Sequence, residues 1–394
     1  MMRLAMVTPL DAAQTGVADY SLDLLPHLAE AAGGPIEVFT DAGGAGRSGV
    51  KWHAQPMSEL GNTANHFDLV IYQMGNSPAH DFMADSLFQH PGLIVLHDIS
   101  LHNFFARQAQ AGRLSRYLRA LGHFEGAAGT ALGRDFWRAF RAINYPDHLA
   151  SEWLVDCSPG VIVHSQHALS VLCAHCPAAH IERIPMPIPL PPAISIAAAR
   201  AMLNLADDRF VVGVFGVLND SKNPTAILTA VRRLVDEGVP ITVAFVGREN
   251  DTFHLVEQAP HYGLADRVIQ PGFIESLQEV NQWLAACDMA ISLRALYWGE
   301  TPSSTLRTLA AGTPVIINTI GAFAELPETA CIGIEPTESD MPHALYRALR
   351  QSYEQPERRA AQRIAARDYI AREHDPACTA RRYVEVAAAF LGAA

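Results

Sequence analysis

Short runs of apolar, often β-branched residues recur along the chain. Each is followed by a longer stretch in which apolar positions return every three or four residues. In the first half the runs fall at 4–8, 36–40, 69–73, 93–97 and 161–164, and in the second at 211–215, 241–246, 268–270, 289–293, 315–318 and 331–334. Runs that are apolar throughout, rather than alternating, mark parallel strands covered on both faces, and the stretches between them read as helices. The pattern predicts an α/β chain with two Rossmann-like sheets. Between the halves, IPMPIPLPPAIS (184–195) has proline at 185, 187, 189, 191 and 192, the composition of an extended connection. Domains are therefore expected at 1–187 and 205–375, with 188–204 as linker. The stretch 357–391 reads as helical, broken near His374-Asp375-Pro376, and its last helix, about 376–394, is expected to pack back on the first domain. Ligands of such sheets bind at the carboxyl ends of the strands, which places the expected site in a cleft between the domains.

Composition narrows the function classes. With 394 residues the chain is too long for one ordinary core, and 49% apolar against 18% charged residues describes a folded protein. A net charge of −12 argues against nucleic acid as a partner. The start, MRLAMVTP, reads as a first strand rather than a signal peptide, and no apolar run approaches the ~20 residues that span a bilayer. The six cysteines are scattered, which fits a reducing cytoplasm. His164-Ser-Gln-His167 and Cys173-Ala-His-Cys176 have tempting spacings, but they fall in a strand followed by a helix rather than in a zinc knuckle. No Asp-x-Asp occurs, so a divalent clamp on a diphosphate is not expected either, and no metal or cofactor is predicted.

Candidate chemistry concentrates in SLRALYWGETPSSTLRTLAAGTPVIIN (292–318). Gly299, Glu300, Thr301, Pro302, Ser303, Ser304 and Thr305 form a polar turn before a helix, offering free N–H groups and hydroxyls to an anion. The Glu300 carboxylate can accept hydrogen bonds from sugar hydroxyls. The same turn also reads as an ordinary capped helix. Upstream, FGVLNDSKNP (215–224) leaves a strand, with Gly216 permitting close approach to the backbone and Lys222 within reach of a diphosphate. A solvated lysine at a helix start is the plain alternative.

The order of these pieces carries more than any one of them. The Lys222 turn is followed by the strand before Gly247, Pro271-Gly272-Phe273, the Glu300 turn and GAFAELP (321–327). In this order the chain resembles the retaining glycosyltransferases of family 4. The resemblance implies the GT-B fold, two Rossmann-like domains facing each other across a cleft. It implies a nucleotide-diphosphate sugar donor (GDP- or UDP-sugar) and transfer of a hexose-type sugar to a carbohydrate or lipid-linked hydroxyl acceptor, without metal. Lys222 would hold the donor diphosphate, and Gly272, Phe273 and Ile274 would neighbour the base. Gly299, Glu300, Thr301, Ser303 and Ser304 would grip donor sugar and phosphate. Val217 departs from the arginine common after the first-turn glycine. The usual Glu-x7-Glu pair is also missing, since Thr308 stands eight residues after Glu300 and Arg307 takes the second place when counted back from Gly312. Arg307 is thereby the ribose neighbour, and Arg294 either supplies charge near the diphosphate or is a surface residue at a strand end.

In the first half the resemblance places Gly16, in PLDAAQTGVADYS (9–21), against the donor phosphate, with Asp19 and Tyr20 opening the next helix. Asp19 reads equally as a partner of the helix dipole. YQMGNSPAH (72–80) and LHDISLH (96–102) both begin at strand ends. The resemblance implies that His97 touches the donor sugar or the acceptor-side phosphate region, and Asn76, His80, Asp98 and His102 are expected on the acceptor side. His97, Glu300 and Lys222 are the expected catalytic set, with the leaving phosphate helping to deprotonate the acceptor. Residues 101–148 carry seven arginines against three acids, interleaved with aromatics. They read as a peripheral contact with an anionic membrane, placing the protein at the cytoplasmic face, as a binding region for a lipid-linked diphosphate acceptor, or as a solvated basic face. A sugar-nucleotide epimerase of the same fold and a catalytically inert nucleotide-binding subunit are the competing functions.

Overall fold

The computed structural model describes residues 2–10, 15–41, 54–138, 147–249, 254–295, 297–336 and 339–393. Two compact units emerge. The first comprises Met1–Pro187, Trp298–Thr301 and His374–Ala394, and the second Ile188–Tyr297 and Pro302–Glu373.

The first unit is built on β1 (Leu4–Val7), β2 (Glu37–Thr40), β3 (Ala54–Pro56), β4 (Leu69–Met74), β5 (Leu93–Leu96), β6 (Val161–Val163) and β7 (Ile181–Arg183). They lie in the order β3-β2-β1-β4-β5-β6-β7, every pair parallel. The five expected strands are present, and β3 and β7 add an edge on each side. Three residues each, AQP and IER, are too short and too polar to stand out as apolar runs. The helix Gly16–Ala32 follows β1. Thr15 Oγ1 accepts from Val17 N at 3.2 Å to cap it, and Gly33 closes it with φ of 74°. Its Tyr20, Leu24 and Leu28 are buried, and the last helix, Pro376–Ala393, packs on it through Ala380, Tyr383 and Ala387. His374 Nδ1 to Met186 O (2.9 Å) and Thr379 Oγ1 to Pro185 O (3.2 Å) anchor the start of that last helix.

The second unit contains β8 (Phe210–Phe215), β9 (Ile241–Val246), β10 (Val268–Gly272), β11 (Met289–Ser292), β12 (Val315–Asn318) and β13 (Cys331–Ile334). Their order is β10-β9-β8-β11-β12-β13, again parallel throughout. Both sheets are doubly wound, and strand order reverses between β1 and β4 in one and between β8 and β11 in the other. The carboxyl ends flanking such a reversal form a ready crevice.

The expected linker 188–204 needs correction. Residues 184–195 have no regular structure, but Ile196–Met202 is a helix capped by Ser195, whose Oγ accepts from Ala198 N at 3.2 Å. Its Arg200 is buried and reaches Asp288 Oδ2 at 2.5 Å, Ala286 O at 3.1 Å and Asp207 O at 3.0 Å. That helix is part of the second unit, not a tether. Among the described residues, no helix is long and apolar enough to cross a membrane.

Candidate active site

In the second unit three strand-end turns are laced together by backbone. Gly216 N bonds to Val246 O (3.0 Å), Leu218 N to Arg248 O (2.9 Å) and Gly247 N to Gly272 O (3.0 Å). A Cβ on Gly247 would stand 2.0 Å from Gly216 O, so only glycine permits this approach. Lys222 is buried, and its Nζ donates to Phe215 O at 2.7 Å. The ammonium sits over the bare face of Gly216, 3.6 Å from where a Cβ would be. Across the strand-order reversal, Ala295 N donates to Ser221 O at 2.6 Å, tying the turn after β11 to the Lys222 turn.

Arg294 is fixed at the end of β11. Its N–H donates to Asn318 Oδ1 and Asn318 Nδ2 donates to its carbonyl, both at 2.8 Å, while its guanidinium lies 5.1 Å from the Phe323 ring centre. Tyr297 is braced by the 321–327 turn, where its hydroxyl accepts from Ala322 N at 2.9 Å. The helix Ser303–Ala310 begins after Pro302, whose ring supplies no side-chain cap. Thr305 Oγ1 and Thr308 Oγ1 are turned inward, to Ser292 Oγ (2.8 Å) and Ser304 O (2.7 Å). Arg307 is half-buried where Thr308 is buried, so the position counted from Gly312 is the more open one. Gly272 adopts φ of 81°, Ile274 is half-buried, and the Phe273 ring is 49% exposed.

The first unit gathers the remaining candidates at the ends of β4 and β5. Asp98 Oδ2 accepts from Asn76 N at 2.8 Å. Burial and the neighbouring Glu300 charge push its carboxyl up to about 7, against the pull of that N–H. Glu300 Oε2 accepts from Trp298 N at 2.9 Å, and Ser100 N donates to Trp298 O at 3.1 Å, which seats the turn on the loop after β5. Thr301 ends this segment, half-buried. His97 is buried, with Nε2 against Gln73 Oε1 at 2.9 Å, its ring edge-on to Tyr20 at 4.5 Å and 5.1 Å from His164. Burial, then the charges of His164 and His80, hold its imidazole well below the usual range.

Residues 195–369 match the model of the family described as Glycosyl transferases group 1. That stretch is therefore a group 1 domain, and the whole chain has the GT-B fold. Sucrose-phosphate synthase from Thermosynechococcus elongatus is similar at a TM-score of 0.73 and 16% identity, covering 100% of both chains. HepE from Anabaena, in complex with UDP, gives 0.64 at 18% identity over 99% of this chain and 100% of that one. WaaG, a glycosyltransferase involved in lipopolysaccharide biosynthesis, gives 0.61 at 15% over 96% and 98%. At such identities the likeness speaks for the fold alone. No curated protein matches the sequence.

Several candidates make contacts within the framework of the first unit. The helix expected to open at Asp19 and Tyr20 begins at Gly16, which is exposed. Tyr20 is buried, its hydroxyl bonded to that of Tyr383, while Asp19 is half-buried in the first turn. Asn76 Oδ1 accepts from Phe104 N at 2.9 Å, closing the start of the helix His102–Gln108. His102 is buried on Tyr117, and His80 is buried on Ser77. Desolvation brings both imidazoles down to about 4. In the basic stretch Phe104, Phe105 and Tyr117 belong to the core, leaving Phe124 and Trp137 exposed, and Phe140 and Arg141 lie outside the described residues. His164 bonds to Ile184 O at 2.8 Å, and among the described residues no cluster of three metal-ligating side chains occurs. Sequence reasoning missed the parts played by Asn318, Tyr297 and Gly247. A glycine directly after an apolar strand was the signal for Gly247.

Proposed function

We propose that this glycosyltransferase moves a hexose-type sugar from a nucleoside-diphosphate sugar to a hydroxyl acceptor, with retention and without a metal. The observation that carries the reading is the seating of Glu300. Its carboxylate is held by Trp298 N, on a turn docked to the loop bearing Asp98. UDP-glucose is the first donor to try, because HepE structures hold UDP and UDP-glucose.

In this reading Lys222, Arg294 and the start of Ser303–Ala310 take the negative charge that builds on the leaving diphosphate. Gly216 and Gly272 let the nucleotide lie on the backbone, and the exposed Phe273 ring offers its face to the base. Glu300 accepts from sugar hydroxyls. Asp98, near neutrality in its protonation, is able both to donate to and accept from the acceptor hydroxyl. His97 orients this wall from behind through Gln73. The protein works on the cytoplasmic side of a membrane, with a carbohydrate or lipid-linked acceptor.

Purified protein with UDP-glucose and a panel of alcohol and lipid-linked acceptors tests this. UDP should appear only when an acceptor is present, the product should keep the donor's anomeric configuration, and EDTA should leave the rate unchanged. UDP binding with no release for any donor and acceptor pair would instead identify an inert subunit.

A further inference from the structure

Apart from the loops that carry the transfer site, the first unit has a cavity of about 320 Å³ lined by Phe88, Ser115, Arg116, Arg119 and Trp153. Phe88 lies on the helix Ser86–Gln89, which leads into β5, and Trp153 on the helix Glu152–Asp156, which leads into β6. The cavity therefore belongs to the amino ends of these strands, whereas His97 and Asp98 leave the carboxyl end of β5. Phe88 and Trp153 stack at 4.4 Å and 25°. The Arg116 guanidinium stands 5.4 Å from the Phe88 centre and that of Arg119 5.2 Å from the Trp153 centre. Rings in this position hold a guanidinium flat and leave its edge N–H groups for another acceptor.

The charge balance favours an anion. Asp85 is shared by Arg113 (3.0 Å) and Arg116 (2.7 Å), so two guanidinium groups meet one carboxylate, and Arg119 adds a further positive charge to the lining. Arg116 uses Nη2 on Asp85, and its Nη1 is buried with no hydrogen-bond partner among the described residues. That N–H is donor capacity of the guanidinium that Asp85 does not use. The exposed Ser115 hydroxyl adds a donor at the rim. We propose that this cavity binds a phosphate ester, with the phosphate between Arg116 and Arg119 and its carbon stem against Phe88 and Trp153. Phosphate suits two guanidinium groups better than a carboxylate does, because its oxygens can serve both at once. A lipid headgroup and a soluble phosphate ester share this chemistry. The proposal stands whether or not the transfer reaction is as argued above.

Tryptophan fluorescence of the whole chain tests it with three probes: inorganic phosphate, glycerol 3-phosphate, and phosphatidylglycerol vesicles beside phosphatidylcholine ones. Saturable quenching by glycerol 3-phosphate is expected for a soluble ester, and response to phosphatidylglycerol vesicles alone for a headgroup. Arg119→Gln, which leaves both Asp85 ion pairs intact, should weaken binding at least ~10-fold. Arg134→Gln, an exposed arginine further along the same helix, should leave it unchanged. Binding of none of the probes would overturn the proposal. So would an Arg119→Gln protein that binds as the parent does, or an equal loss in Arg134→Gln, which would mean diffuse attraction rather than a pocket.

Discussion

Ile99 fills the space in which Gly299 would otherwise carry a side chain. A Cβ there would lie 1.9 Å from Ile99 Cγ1, and the backbone at Gly299 has φ of 79°, which L side chains avoid. This contact and the bond from Ser100 N to Trp298 O fix the turn that presents Glu300. Gly299→Ala should therefore lower turnover ~10-fold or more while leaving most of the fold intact. Ile99→Ala in the same chain should restore part of the rate, because it removes the collision but not the strained φ. Rates and melting temperatures of the four proteins of this cycle measure the coupling. Additive losses would mean that the two residues act separately.

Acid should destabilise the protein well above the range of ordinary carboxylates. Burial lowers His80, His102 and His164 from 6.5 to about 4, and it holds His97 well below its usual range too. The unfolded chain binds these protons before the fold does, so stability is complete above about 6.5 and falls as pH drops toward 4. Each net proton changes stability by about 1.4 kcal/mol per pH unit. Urea unfolding across this window should show the decline, and a flat profile would contradict it.

Asp98 works in the opposite direction over the same window. Its carboxyl is raised from 3.8 to about 7, so the fold keeps a proton that the unfolded chain has lost, and stability from this group fades as pH rises through about 7. Four lowered histidines outweigh one raised carboxyl, which is why the net loss comes with acid. In Asp98→Asn the amide oxygen can still accept from Asn76 N but carries no charge to bury. Its stability relative to the parent should rise by about 1–3 kcal/mol between pH ~4 and ~8 in parallel urea titrations. A difference independent of pH would mean that the Asp98 carboxyl titrates as it does in water.

Buried parallel strands made the architecture readable. Uninterrupted runs such as ITVAFV in β9 can only be covered on both faces, and their alternation with helices gives two doubly wound sheets. The glycines were legible for the same reason, since a strand that ends in glycine brings its turn close to a neighbour, as at Gly216. Side-chain roles were not legible, because they depend on what tertiary packing places opposite. Asn76, after a strand end, and Tyr20, in the first helix, both read as parts of a binding wall, yet one caps the helix at Phe104 and the other is buried against Tyr383. Nor does spacing show that Asp98 shares its surroundings with Glu300, some two hundred residues later.

Arg200 stands in the stretch whose prolines suggest only a tether. Its guanidinium is nonetheless buried, paired with Asp288, and bonded to two carbonyl oxygens. Asp288 Oδ2 also accepts from Val211 N at 2.8 Å, so the pair fixes the start of β8. Arg200→Ala leaves a buried carboxylate without its partner and should cost about 3–5 kcal/mol, read from chemical unfolding. Arg200→Ala combined with Asp288→Asn should recover part of that loss. A single variant as stable as the parent would show that water compensates the carboxylate.

The proposed role of Lys222 at a donor diphosphate can be tested directly. In the structure its Nζ donates to Phe215 O and stands over the open face of Gly216, where a phosphate could meet both ammonium and backbone. Lys222→Met keeps most of the stem and removes the charge. UDP affinity should then fall by at least ~10-fold, about 1.4 kcal/mol, while uridine, which lacks the phosphates, should bind as before. Arg in this position should not substitute, since a planar guanidinium is too broad for a site shaped around one ammonium. Calorimetry with UDP and uridine separates the cases. Equal losses for both ligands would mean that Lys222 merely holds the Phe215 carbonyl and shapes the turn.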